Sequence, residues 1–315
     1  MKKKCLILGG GGFIGSNLIG SLLQQGFDVR IFDIVGFSRK NIKEYIDIVE
    51  IVEGDFNDSL KLKIVLEDID YVYHLISTTV PSSSQLNPQF DIESNLLPTL
   101  NLLDLVKESS VKKLIYLSSG GTVYGVPIAT PIKENHTTNP INSYGIVKKS
   151  IEDYLLLYNR LWSIDICIFR LSNPYGEKQN PKGVQGVIPV FLSKAINKET
   201  VEVWGDGTVI RDYIYIKDVM AIMVRALEIE TPEIIYNLGS GIGTSINDIL
   251  KYIKENLELD LKVNYCQGRS FDVPVNVLDV SNLKNRFGTI NYVNIDEGIS
   301  RLYNYIKKNN QITEQ

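Results

Sequence analysis

The sequence predicts an α/β protein, a doubly wound parallel sheet followed by a smaller mixed α/β lobe. Three observations predict it. Through the first half, short apolar runs alternate with longer helical patterns, the texture of βαβ units. The first apolar run, residues 5–8, ends in four glycines, Gly9 to Gly12, and a helical pattern opens directly behind them. Beyond about Leu171 the texture changes. Asn173-Pro174-Tyr175-Gly176 and Pro181-Lys182-Gly183 are turn chemistry, and strand and helix patterns then mix irregularly.

Taken in order, strands are expected at 5–8, 28–32, 48–53, 71–76, 114–117 and 166–169, each a short apolar run suited to a strand covered on both faces. Helices are expected at 14–25, 60–66, 93–108 and 144–161. This is a Rossmann-type arrangement, in which ligands bind beyond the carboxyl ends of the strands. Residues 1–172 are expected to form the doubly wound domain, with a return segment near 208–240, and residues 173–315 most of the smaller lobe covering the ligand crevice. The polar tail 307–315 is expected to fray.

At 315 residues, 44% hydrophobic and 22% charged, the chain has the make-up of a globular protein with a large core. A net charge of -4 excludes a general binder of nucleic acid or anionic membrane. Cys5 and Cys167 lie in apolar runs, and Cys266 makes the set odd and widely spaced. They read as free thiols of a reducing compartment. His74 and His136 have no ligand spacing with them, so no metal is expected. The apolar run behind Met1-Lys2-Lys3-Lys4 is too short for a secretory signal, and no apolar run is long enough to span a membrane. The expectation is a cytoplasmic protein.

Gly9, Gly12 and Gly15 are spaced G-x-x-G-x-x-G directly after a strand. That pattern serves a tight turn, close backbone approach to a pyrophosphate and close packing of helix on strand, with helix N–H groups facing the phosphates. Asp33 closes the second strand, where a carboxylate takes both ribose hydroxyls of NAD and repels a 2′-phosphate. Arg39 and Lys40 lie nearby and pull the other way. Asp55, after the third strand, reads either as a partner for the adenine amino group or as a helix N-cap.

Tyr144 and Lys148 share one helix face, four residues apart. A free phenol titrates near about 10, and an ammonium beside it favours the phenolate. Lys148 is therefore expected to lower the tyrosine pKa and to reach a ribose hydroxyl. The hydroxyls of Ser118, Ser119 and Thr122 follow the fifth strand and suit a substrate hydroxyl.

These residues carry a resemblance that covers nearly the whole chain. Gly9 to Gly15, Asp33, Gly54-Asp55, Asn95, Ser118 to Gly125 and Tyr144/Lys148 resemble the extended short-chain dehydrogenase/reductase family, especially its nucleotide-sugar epimerases. So do the segments 169–176, Trp204-Gly205-Asp206-Gly207, Arg211-Asp212-Tyr213-Ile214-Tyr215 and Asn237-Leu238-Gly239. The resemblance implies NAD as cofactor and a UDP- or dTDP-linked sugar as partner. It places Phe13 and Ile14 at the pyrophosphate, Asp55 and Phe56 at the adenine, and Leu75, Ser77 and Asn95 along the cofactor's other side. It also assigns Asn173, Arg211 and Arg269 to the diphosphate, Tyr213 to the substrate site and Asp272 to the nucleoside ribose. It implies a homodimer through the helices that carry Asn95 and Tyr144, with Leu155, Leu156 and Leu157 as apolar positions.

The departures are informative. Leu8 stands where the family has threonine, and Leu75-Ile76-Ser77-Thr78 replaces a pair of small residues. Gly120 occupies the position of the catalytic serine or threonine, so Thr122 or Ser119 must supply that hydroxyl. Gly121 and Thr122 stand where dehydratases and decarboxylases of the family carry acids, which argues against both reactions. The resemblance therefore implies a 4-epimerase of the UDP-hexose type. The rival is an NAD(P)H-dependent 4-ketoreductase of a dTDP- or UDP-linked 4-keto-6-deoxy sugar, and a non-catalytic dinucleotide sensor is a third reading.

Overall fold

The computed structural model describes residues 2–181, 186–268, 273–288 and 290–313. The chain divides into two compact units. The first comprises Met1–Val126, Glu134–Leu171 and Met220–Asn237; the second comprises Pro127–Lys133, Ser172–Val219 and Leu238–Gln315.

The first unit is built on six parallel strands: β1 (Lys4–Leu8), β2 (Asp28–Asp33), β3 (Glu50–Glu53), β4 (Tyr71–His74), β5 (Lys113–Ser119) and β6 (Ile166–Leu171). The return segment contributes a seventh strand, Ile235–Leu238, beside β6. Across the sheet the order is seventh strand, β6, β5, β4, β1, β2, β3. β1 thus pairs with β2 on one side (Leu8 beside Phe32) and with β4 on the other (Leu8 beside His74). That reversal of strand order is the switch point at which a doubly wound sheet opens a crevice.

Alternate strand residues face opposite layers. Leu6, Leu8, Phe32, Val72, Leu114, Tyr116, Ile166 and Ile168 join one apolar core. Cys5, Ile7, Ile31, Tyr73, Ile115 and Cys167 are equally buried on the other face. This two-sided burial explains the unbroken apolar runs of the sequence. All three cysteines are free thiols.

Boundaries moved for local reasons. β4 stops at His74, two residues short of the expected end, because the chain leaves the sheet at Leu75. The single helix expected at 93–108 is a π-turn, Ile92–Leu96, running into the helix Leu97–Val106. Two short proline-started turns, Pro81–Ser84 and Pro88–Asp91, precede it and were not foreseen. The helix Ser143–Trp162 starts on Asn142, whose side chain accepts from the Gly145 N–H at 2.8 Å. The tail does not fray where expected: the helix Ile295–Thr313 runs through most of it.

The second unit has its own small sheet. Ile210–Tyr215 pairs with Gly243–Ser245 and Val275–Asn276, and Asn173–Tyr175 also pairs with it. A two-stranded ladder, Val201–Trp204 with Val263–Cys266, lies apart from it. Phe191, Leu192, Tyr213, Tyr215, Ile249, Ile253 and Leu302 belong to a separate core.

Candidate active site

The glycine turn after β1 is fixed by sterics at some positions and not at others. Gly9 has φ +90 and donates its N–H to Phe32 O at 2.8 Å. A Cβ on Gly15 would fall 2.3 Å from Gly9 O, and one on Gly10 would fall 2.5 Å from the Ile31 side chain. A Cβ on Gly12 meets only Gly9 O, at 3.5 Å, and its backbone (φ -71, ψ 177) suits any residue. The protein itself therefore does not require glycine at 12. A group approaching the backbone there does, and Gly12 is the N-cap of the helix Phe13–Gln24, with no side chain capping it. Phe13 and Ile14 form that first turn and are half-buried. Gly12→Ala is accordingly expected to keep its folding stability and lose bound dinucleotide. Gly15→Ala should cost about 1–3 kcal/mol of stability. Urea unfolding and the nucleotide content of each variant check both.

Asp33 ends β2 with Oδ2 accepting from Gly11 N at 2.8 Å and Oδ1 from Ile34 N at 2.9 Å. Burial raises its pKa and these two bonds oppose that. Asp55 is not a helix cap. Its Oδ1 accepts from the backbone and side chain of Asn57, and Asp58 caps the helix Ser59–Val65 by accepting from Lys61 N at 3.0 Å. Phe56 points into the core, its ring 5.2 Å from that of His74, so its side chain is withdrawn from an adenine. His74 is buried and its pKa is held down to about 3, by burial first and by the Lys148 charge second. Thr99 gives its proton to Asn95 O at 2.6 Å, so the neutral His74 donates from Nε2 to Thr99 Oγ1 at 2.8 Å.

The wall after β4 begins at Leu75, whose N–H donates to Leu8 O at 3.0 Å. Asn95, expected along the cofactor, is committed to that wall. Its Oδ1 accepts from Thr78 N at 2.9 Å, and its Nδ2 donates to Thr78 Oγ1 at 2.8 Å and to Asp91 Oδ1 at 3.0 Å. Asp91, which the sequence did not single out, is fully buried. It also accepts from Thr79 Oγ1 at 2.6 Å and from Ser143 Oγ at 2.9 Å. Tyr144 N donates to Ser84 Oγ at 3.0 Å, a second tie between the wall and the tyrosine helix.

Tyr144 and Lys148 meet as their spacing predicts, the ammonium 5.6 Å from the Tyr144 ring centroid. Lys148 is buried, lies 4.9 Å from the Tyr116 ring centroid and donates to Leu117 O at 3.0 Å. Burial pushes its pKa down to about 8, against the pull of Asp91 and Glu152. The expected lowering of the tyrosine pKa is not found. Burial pushes Tyr144 up to about 12, the Asp91 charge adds to the rise, and a hydrogen bond with Ser77 opposes it. Both shifts run against the charged form of each group, and burial is the first cause of each.

Of the three hydroxyls at and just beyond the carboxyl end of β5, two are withdrawn. Ser118 donates to Glu152 Oε1 at 2.5 Å, and Thr122 Oγ1 is enclosed without a hydrogen-bond partner among the described residues. Ser119, half-buried, is the one left accessible. Behind them Glu152 pairs with Arg170 at 2.7 Å, and Arg170 also donates to Tyr124 Oη at 3.0 Å.

In the second unit, neighbouring strands bring three candidates together, with Asn173 beside Tyr213 and Arg211 two residues before Tyr213 on the same strand. Asn173 Nδ2 donates to Asp212 O at 3.0 Å, and Arg211 Nη1 donates to Ile210 O and Val273 O. Tyr213 is buried with its ring edge-on to Tyr175, and its phenol is raised to about 12 by burial. Arg269 and Asp272 lie outside the described residues. Among the described residues no group of three His, Cys, Asp or Glu side chains could hold a metal, and no helix is long and apolar enough to cross a membrane.

Comparison with known proteins identifies the family and the fold. Residues 5–239 match the family described as NAD dependent epimerase/dehydratase. A Methanocaldococcus jannaschii protein, named provisionally as a UDP-glucose 4-epimerase, is 36% identical over 97% of this chain and 99% of its own. An Escherichia coli dTDP-4-dehydro-6-deoxyglucose reductase is 31% identical over 97% and 98%. The crystal structure of Thermotoga maritima UDP-glucose 4-epimerase with UDP-glucose superposes with a TM-score of 0.92, at 31% identity, over 97% of this chain and 99% of that one.

Proposed function

The chain belongs to the NAD dependent epimerase/dehydratase family, and from that membership we propose that it is a nucleotide-sugar 4-epimerase of the UDP-hexose type, working through a transient 4-keto intermediate. The observation that carries the reaction is the buried Lys148 beside Tyr144, with neither Gly121 nor Thr122 able to act as an acid. The residues fit the cofactor: Gly9, Gly12, Phe13, Ile14 and Gly15 hold the pyrophosphate against uncapped helix N–H groups, and Asp33 takes the adenosine ribose. NAD, when bound, would supply the hydride acceptor and donor and, when oxidised, a positive charge that favours the Tyr144 phenolate.

Tyr144, as phenolate, takes the proton of the C4 hydroxyl and gives it back when the ketone is reduced on its other face. Lys148 steadies the phenolate, and Ser119 holds the C4 oxygen in place of the family serine replaced by Gly120. Arg211 and Asn173, with Arg269, hold the diphosphate while the hexose turns over. Tyr213 and Asp272 complete the nucleoside end. The protein is read as a cytoplasmic homodimer of polysaccharide precursor metabolism. Exposed Phe90, Ile92, Leu97, Ile146, Leu157 and Leu161 support a paired face on the Asn95 and Tyr144 helices, whereas Leu155 is core.

The similarity to the reductase supports a second reading, a 4-ketoreductase of a dTDP- or UDP-linked 4-keto-6-deoxy sugar. One experiment separates the two. Freshly purified protein is sized, denatured and its nucleotide identified by mass, and native protein is assayed on UDP-glucose and UDP-N-acetylglucosamine. A dimer retaining NAD that turns over without added cofactor is the expected result. Protein that instead oxidises added NADH or NADPH with a nucleotide 4-keto sugar is the reductase.

A further inference from the structure

At the carboxyl ends of β2 and β3, Asp33 and Glu53 lie side by side in the ladder. Glu53 Oε1 accepts from Arg39 Nη2 at 2.8 Å, and its Oε2 accepts from Gly36 N at 3.1 Å. Arg39 also lies 5.9 Å from the centroid of the Phe37 ring. That ring is folded so close over the glycine turn that a Cβ on Gly11 would come within 2.2 Å of it. One carboxylate thus ties down both the loop between β2 and Arg39 and the arginine itself.

We propose that Glu53 is a second specificity-determining residue for the dinucleotide: by holding Arg39, it denies a 2′-phosphate the guanidinium that would otherwise receive it. The proposal rests on the reading that Asp33 takes the adenosine ribose. An arginine just beyond the second strand is the group that accommodates a 2′-phosphate in such folds, and its planar fork suits phosphate oxygens. Here that fork already has a carboxylate partner, half-exposed but doubly anchored, since the Gly36 N–H fixes the other oxygen. The Arg39 charge and the Gly36 N–H together hold the Glu53 carboxyl below its ordinary range, so it stays charged at neutral pH. A 2′-phosphate arriving at the ribose therefore meets two carboxylates and an arginine committed to one of them. The ribose hydroxyls of NAD meet Asp33 without having to break the pair.

The test first strips co-purified nucleotide from the protein, then equilibrates it with equal concentrations of NAD and NADP, removes free nucleotide by gel filtration, and counts the bound species by mass after denaturation. Wild type is expected to retain NAD almost alone. Glu53→Gln keeps the size of the side chain and an acceptor for Gly36 N but releases Arg39; it should raise the NADP to NAD ratio at least tenfold. Arg39→Ala should leave the ratio at the wild-type level, and the double variant should lose the gain of Glu53→Gln, because the gain needs a free arginine. A ratio unchanged in Glu53→Gln, or a gain that persists in the double variant, overturns the proposal while leaving NAD binding intact. Wild-type protein that retains neither nucleotide overturns the underlying reading as well.

Discussion

Tyr144→Phe is expected to lower kcat by roughly 10²–10⁴-fold while leaving bound NAD and KM near their wild-type values. The ring still fills its place on the helix Ser143–Trp162, and Lys148 keeps its bond to Leu117 O, so nothing that positions the site is lost. What is lost is the group proposed to carry the C4 proton. Burial has already pushed that phenol up to about 12 and pushed Lys148 down to about 8. No side-chain hydroxyl at Ser118 or Thr122 can take over, since one donates to Glu152 and the other is enclosed. Single-turnover assays of the nucleotide-loaded variant measure the loss directly. A fall of less than tenfold would remove Tyr144 from the proton path.

Arg170→Met should have the largest effect on stability, about 3–5 kcal/mol, because it leaves Glu152 fully buried and without its counter-charge. The guanidinium donates to Glu152 through Nε and Nη2, to Tyr124 Oη and to Glu134 O, so its removal strands several acceptors at once. Replacing both partners, Arg170→Met with Glu152→Leu, should recover much of the loss, since a buried ion pair costs desolvation that an apolar pair does not. Urea midpoints of the two variants check the order. A single variant as stable as wild type would show that Glu152 finds water or another partner.

The glycine turn, the six strands and the Tyr144/Lys148 pair were legible because each is a local pattern: an apolar run, a fixed spacing, a change of period. What was not legible is polar and non-local. Asp91 sits at the end of a short turn that reads as loop, and its partners Thr79, Asn95 and Ser143 come from three segments. Glu152 follows Lys148 by one helical turn, and beside Lys149 and Asp153 the run reads as a solvated charged face. Only half of it is. Lys149 and Asp153 pair outside, while Lys148 and Glu152 are both buried. Asp55 against Asp58 shows the same limit on a smaller scale, since two acids three residues apart compete for one cap and geometry alone decides.

The Asp91 junction has a mechanical consequence. Thr79 belongs to the wall after β4, Ser143 to the first turn of the tyrosine helix and Asn95 to the π-turn between them, and one carboxylate grips all three. A displacement of the wall is inherited by Tyr144, so the two keep a common register under thermal motion or mutation. Between the anchors, residues 85–89 stand exposed and outside that grip. Changes of length or composition in that arc leave the anchors of Tyr144 untouched.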